Sequence, residues 1–412
     1  MSSSAEQWLR AAISIVLPPV LLLSVSVRVS AQQACPEPEL AHDFDNPTVA
    51  ANDRRLWMEV NRILRLPSRQ QALEIGHVYR DIFSVLHPRW YALDNWHVRP
   101  DGDLNYLKSR SGSGINSAYL NMDAQQASLA LLAAHPQEAQ PLIQRDLRSS
   151  NPEVIERGAS AAGMMPAARF PDLYDDLKNV FLRGRECSEK ALGQLFAYAG
   201  FPGRTADNRP TRLQELIPVL VARFQKDPRA YAGYLQNLLS VGPAPAELLA
   251  ALDSDDSMLR DFASLALSSS TDSRLGPYVR MMLTDPNPGV RQHGFSIGFA
   301  GLRRRDVAYK DFKPALETLM RDPVWRLRLN ALEAFAFSGD ASCAPVLLDL
   351  FRKWAGRDPS VPDKDFSQLA VLAEAVAHRK FGFGVGKLPA HEDPANRLAI
   401  GKFSDWVTGQ KP

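Results

Sequence analysis

The side chains in this 412-residue chain that could hold a metal or move protons are dispersed. His77, His87 and His97 stand at ten-residue intervals. Zinc and iron sites favour histidine, but ten residues is not a ligand spacing on one helix, and no glutamate completes a His-Glu-x-x-His motif. Asp101-Gly102-Asp103 reads as a polar turn, since no acidic residue closes a twelve-residue calcium loop. Ser111-Gly112-Ser113-Gly114 lacks both the Gly-x-Ser-x-Gly framing of a nucleophile elbow and the Gly-Lys-Ser/Thr of a phosphate loop. Cys35, Cys187 and Cys343 are too far apart for a metal knuckle. A Cys35–Cys187 disulfide would tie the lead-in to the body, with Cys343 a small buried hydrophobe in an apolar helix; three free thiols is the alternative. The expectation is no catalytic set, no metal and no cofactor.

Charge is the second chemical resource. Arg303-Arg304-Arg305 sits in a turn, and Arg321 and Trp325-Arg326 follow. Together they offer a basic, aromatic-bearing edge for an acidic protein, an anionic polymer or a membrane surface. A solvated turn is the competing reading, since isolated surface charge decides little. The net charge of +2 supplies no global field, so a general nucleic-acid binder is not expected.

The elements that must position these residues are helices, and they repeat. Leu259-Arg260, Val290-Arg291 and Leu327-Arg328 each reach a small residue four places after the aliphatic one (Ala263, Gly294, Ala331), then Ala266, Ile297 or Ala334. Positions i, i+4 and i+7 share one helical face. Start signals recur at Asn151, Ser188, Asp227, Ser254, Asp285 and Asp322, four of them followed by proline. Aspartate or asparagine at the N-cap, then proline in the first turn, is the expected chemistry of a helix start. On this reading Asn151, Asp227, Asp285 and Asp322 are N-caps. Intervals of 27 to 39 residues between these starts are those of stacked helical hairpins, which grow by adding units rather than by enlarging one core.

The chain in order then reads as five segments. Residues 1–31 form a secretory signal: Ala11 to Val27 is apolar apart from three serines and Pro18-Pro19, and Val29-Ser30-Ala31 supplies small cleavage-site residues. An uncleaved anchor is the alternative; membrane contact is expected only in that case. Residues 32–52 are an extended lead-in, and 53–122 hold a hairpin starting at Asp53 and an irregular aromatic loop from Arg89 to Asn121. Residues 123–380 are the repeat array, in which Pro218 should kink a helix. Residues 381–412 cap its end with Leu398, Ile400, Phe403 and Trp406.

The Asp-Pro-x-x-x-Val-Arg-x-x-x-small-x-x-Ala pattern, clearest at Asp285 to Gly298 and Asp322 to Phe335, resembles HEAT repeats. The resemblance covers roughly residues 123–379. It implies an all-α superhelical solenoid that binds another protein, and a structural pairing of Arg260, Arg291 and Arg328 with aspartates of neighbouring units. It carries over no catalytic residue. His391-Glu392 resembles the iron-binding pairs of HEAT-type hydroxylases, but those need several pairs and this chain has one. The expected function is a non-catalytic protein-binding scaffold of the periplasm or cell envelope, touching its partner through second-helix residues Tyr278, Lys313, Glu317 and Asp349, with Arg303, Arg304, Arg305 and Trp325 as a further candidate surface. The alternatives are an enzyme or metal-binding protein with a site between the 89–121 loop and the repeats, or a binder of anionic polymer or membrane.

Overall fold

A computed structural model describes residues 47–86, 120–184, 187–198, 212–240, 242–384 and 390–409, and among these every regular element is helical. The chain divides into two compact units, which meet in sequence at Leu213 and Gln214. The unbroken repeat pattern expected from 123 to 380 does not mark that division.

In the first unit α1 (Pro47–Leu64), α2 (Ser68–His77), α3 (Leu120–Ala134), α4 (Pro136–Leu147), α5 (Pro152–Met164), α6 (Leu173–Arg183) and α7 (Ser188–Tyr198) form two rows. α2, α4 and α6 stack in order along one row; α1 packs on α3 and α5 on α7 in the other. α1 begins at Pro47, six residues before the expected start at Asp53. Proline costs nothing in a first turn, where its missing N–H would have had no partner. α2 runs on into a π-turn over Val78–Phe83, in which Val78, Tyr79, Ile82 and Phe83 are all in the core. Of the aromatic loop only Leu120 and Asn121 are described, and they already belong to α3; its tryptophans lie outside the described residues, as do His87, His97, Cys35 and the signal segment.

In the second unit α8 (Ile217–Phe224) follows a 3-10 turn over Arg212–Leu216, and Pro218 stands in its first turn rather than at a kink. Then come α9 (Pro228–Leu238), α10 (Ala246–Leu252), α11 (Ser257–Leu267), α12 (Gly276–Leu283), α13 (Pro288–Arg304), α14 (Tyr309–Leu319), α15 (Trp325–Phe337), α16 (Ala344–Ala355), α17 (Phe366–Ala377) and α18 (Pro394–Gly409). α9, α11, α13, α15 and α17 stack in order, and α10, α12, α14 and α16 each pair with the helix that follows. This is a run of stacked helical hairpins.

The small residue of each repeat has a steric reason. A Cβ at Gly294 would sit 2.6 Å from Met282 Cβ, and one at Gly158 would sit 3.0 Å from both Asp146 Cβ and Leu147 N. The second helix of the preceding hairpin ends against that spot. Ala263 and Ala331 are fully buried at the equivalent positions.

The end of the second unit is closed by aromatic packing. Phe381, buried, meets Phe403 at 5.3 Å between ring centres, and Phe403 stacks on Trp406 at 5.6 Å. Leu398 does not join the cap: it is 68% exposed, because Ala399 and Phe403 occupy the inward face of α18.

Candidate interaction surface

The recurring arginines build an inter-repeat ladder. Arg260 donates from Nε and Nη2 to the Asp285 carboxylate at 2.7 and 3.2 Å, and from Nη1 to the Ser254 and Asp255 carbonyls at 2.8 and 3.1 Å. Arg291 repeats the arrangement one hairpin on: Nε and Nη2 reach Asp322 at 2.7 and 3.0 Å, and Nη1 reaches the Asp285 and Pro286 carbonyls at 2.8 and 2.9 Å. Bidentate arginine–carboxylate geometry fixes both distance and orientation. Here it joins successive loops. Asp285 accordingly holds its carboxyl below the usual range: burial pushes it up, but the Arg260 bond and the Asn287 N–H outweigh burial.

Asp285 and Asp322 are therefore not the N-caps of α13 and α15. Asn287 caps α13 by accepting from the Gly289 N–H, while Asp285 accepts from Asn287 N two residues upstream. Asp322 likewise accepts from the Val324 N–H. Each aspartate shapes the turn before its helix and keeps its other lone pairs for the arginine. Asn151 and Asp227 do cap their helices, accepting from Glu153 and Ala230 N–H.

The third rung is different. Arg328 donates from Nη2 to the Ser360 carbonyl at 3.2 Å, its guanidinium lies over the Trp325 ring at 4.9 Å, and its Nε is buried without a partner. Trp325 donates from its indole to Asp365 at 2.7 Å, so indole and cation–π contact replace the carboxylate fork. Trp325 is thus engaged within the unit. It is also remote from the basic turn. Gln292 bonds Asn330 and Phe299 packs on Phe337, so α13 and α15 run parallel with Trp325 level with the start of α13. Arg303 to Arg305 close the far end of α13, some ~24 Å away at 1.5 Å per residue. They do not make one patch. Within the turn Arg304 pairs with Asp306 at 2.7 Å, and Arg303 and Arg305 are exposed.

Of the second-helix residues, Lys313 is committed to structure: it holds Asp340 at 2.7 Å beside the Tyr309 hydroxyl, which donates to the same carboxylate at 2.8 Å. Asp349 is exposed and pairs with Lys353 on its own helix at 2.8 Å. Tyr278 is half-buried on α12. Glu317 is exposed and lines an open groove of about 970 Å³ that spans three successive hairpins. Its other features are Pro286, Pro314 and Pro323, Thr284 and Thr318, Val346, and the exposed Arg321, with the Arg291–Asp322 rung in its lining. Sequence reasoning missed Arg321 as a groove residue, although it stands one place before Asp322, the carboxylate that Arg291 meets.

His77 is placed between two carboxylates: Nε2 lies 2.6 Å from Glu59 and Nδ1 2.9 Å from Asp81. Both nitrogens face carboxylates, and the imidazole pKa is raised, the Asp81 bond being the largest cause. His391 contacts Asp363 and stacks on Trp354 at 4.9 Å. Among the described residues no group of three His, Cys, Asp or Glu is placed to hold a metal ion, and no helix is long and apolar enough to cross a membrane. Cys187 is disulfide-bonded, and Cys343 is free and buried.

Between α11 and α13, His293 lies 3.7 Å from Asp261, whose carboxylate occupies the space that a Cβ at Gly289 would fill. Burial pushes the His293 imidazole down to about 4. Below pH ~6.5 the unfolded chain takes up a proton that the folded one refuses until about pH 4, so stability falls as the pH drops through that window. The expected loss is on the order of 2 kcal/mol. Urea midpoints measured at pH 7 and pH 4.5 should converge in His293→Gln relative to the parent chain; an unchanged slope would refute the assignment.

No family model and no curated protein matches the chain. Among solved structures it is similar to YibA of Escherichia coli, with 14% identity over 74% of this chain and 92% of that one and a TM-score of 0.31. That likeness carries no functional reading.

Proposed function

We propose that the protein is a non-catalytic scaffold that binds another protein, and that the groove across α12, α14 and α16 receives the partner. The observation that carries this is the division of labour among its charges. Arg260, Arg291, Asp285, Asp322 and Lys313 are consumed by contacts between repeats, whereas Glu317 and Arg321 stand exposed at the groove with proline and aliphatic side chains around them. Proline and aliphatic surface interspersed with a few placed polar groups is the anatomy of a protein interface. Export to the periplasm or cell envelope is part of the same reading. The apolar N-terminal stretch and the disulfide at Cys187 support it, since disulfides persist in oxidising compartments.

The double charge reversal Glu317→Arg with Arg321→Glu tests the groove. Partner binding should weaken at least tenfold in a titration, with the thermal midpoint nearly unchanged, because Glu317 makes only a loose surface pair with Lys313 at 4.0 Å and neither side chain belongs to the ladder. Full affinity in that variant would remove the groove from the interface.

A further inference from the structure

The exposed surface of the first hairpin is strongly one-sided in charge. Between Pro47 and Leu86 the exposed ionic side chains are Arg54, Arg55, Arg62, Arg65, Arg69 and Arg80, against the single carboxylate Asp81, with Arg62 and Arg65 each holding a partner of their own. The acidic residues that remain are tied down: Glu59 to His77, Glu74 to Arg62 at 3.3 Å, and Asp53 buried. Two large apolar side chains stand among these arginines, Met58 at 65% exposure and Leu73 at 84%.

Helical spacing puts them on common faces. Arg54, Met58 and Arg62 follow i, i+4, i+8 on α1, and Arg69 and Leu73 follow i, i+4 on α2. The inward positions, Leu56, Val60, Ile63 and Leu64 on α1 and Gln71 and Ile75 on α2, point the other way. The Arg62–Glu74 and His77–Glu59 bonds cross between the helices on the exposed side, so the two outward faces adjoin. The end hairpin of a repeat stack needs a polar outer face for solubility. This one carries exposed apolar residues on the same helical faces as arginines.

We infer that the α1–α2 face is a docking surface for an anionic phospholipid membrane. Arginine forks match phosphate oxygens bidentately, and a negatively charged leaflet attracts basic segments close to it. Met58 and Leu73 select the lipid surface over a soluble polyanion, because they gain only where acyl chains can receive them. The inference is independent of the groove in the second unit.

The test is co-sedimentation of the full chain with vesicles of phosphatidylcholine alone and with 30 mol% phosphatidylglycerol, at low and high salt. Binding should require the anionic lipid and fall with salt. At about fivefold per arginine near an anionic surface, Arg54→Gln/Arg62→Gln/Arg69→Gln should weaken partitioning on the order of a hundredfold. Met58→Ser/Leu73→Ser should weaken it severalfold with the arginines intact, and thermal midpoints should be unchanged in both variants. Equal binding to neutral vesicles, or partitioning indifferent to both variants, would overturn the inference. So would retention on a heparin column that matches vesicle binding in salt dependence while the Met58→Ser/Leu73→Ser chain behaves as the parent, since that pattern belongs to a general polyanion site.

Discussion

Asp322→Ala should destabilise the second unit by about 3–5 kcal/mol, the cost of leaving one member of a buried, bidentate ion pair without its partner. Arg291 and Asp322 are only 12% and 6% exposed, so water from the groove replaces the lost carboxylate only in part. The aspartate also orders its own turn through the Val324 N–H. Arg328→Ala makes the internal comparison. It removes one carbonyl contact and one cation–π contact and vacates an unpartnered Nε, so its cost should be about 1 kcal/mol. Chemical denaturation of the two variants checks the contrast. If both fall equally, the ladder is not what joins these hairpins.

Gly294→Val should cost about 3 kcal/mol, from the opposite cause. A Cβ there would approach Met282 Cβ to 2.6 Å and the Leu283 backbone to 3.3 Å, and backbone cannot turn aside as a flexible side chain can. Gly233, in α9, has nothing within 4 Å of its would-be Cβ. Gly233→Ala should therefore be neutral or stabilising by up to about 1 kcal/mol through helix propensity. Thermal unfolding of the pair separates packing from propensity; a destabilised Gly233→Ala with an intact Gly294→Val would show that the close approach of α12 to α13 is misplaced.

The two effects explain which parts of the fold could be read from residue types. The aliphatic-arginine-small pattern was legible because each position answers to one local demand: inward burial, a fork aimed at the next turn, and a contact too close for a side chain. The turn aspartates were read as caps because sequence supplies the residue type and not the register. Asn287 and Asp285 both qualify chemically, and only the bond from Gly289 N decides between them. Leu398 and Phe403 were equally plausible as cap residues, since hydrophobicity alone does not say which face of α18 turns inward. The Arg303–Trp325 edge failed for a different reason. Twenty-odd residues of separation in sequence conceal that parallel stacking sends the two to opposite ends of their helices. The groove was the least legible feature, because it is made by ends of helices from three hairpins and no single segment encodes it.

The central claim is that the groove over α12, α14 and α16 is where a protein partner sits. A photo-crosslinking residue at Thr318, in the groove, and another at Arg305, at the far end of α13, would test it most directly in the native cell. One dominant protein adduct should form from position 318, lost when Arg321 is changed to Glu, and no such adduct should form from position 305. An adduct that forms from 305 and not from 318, or one from 318 that persists in Arg321→Glu, would contradict it.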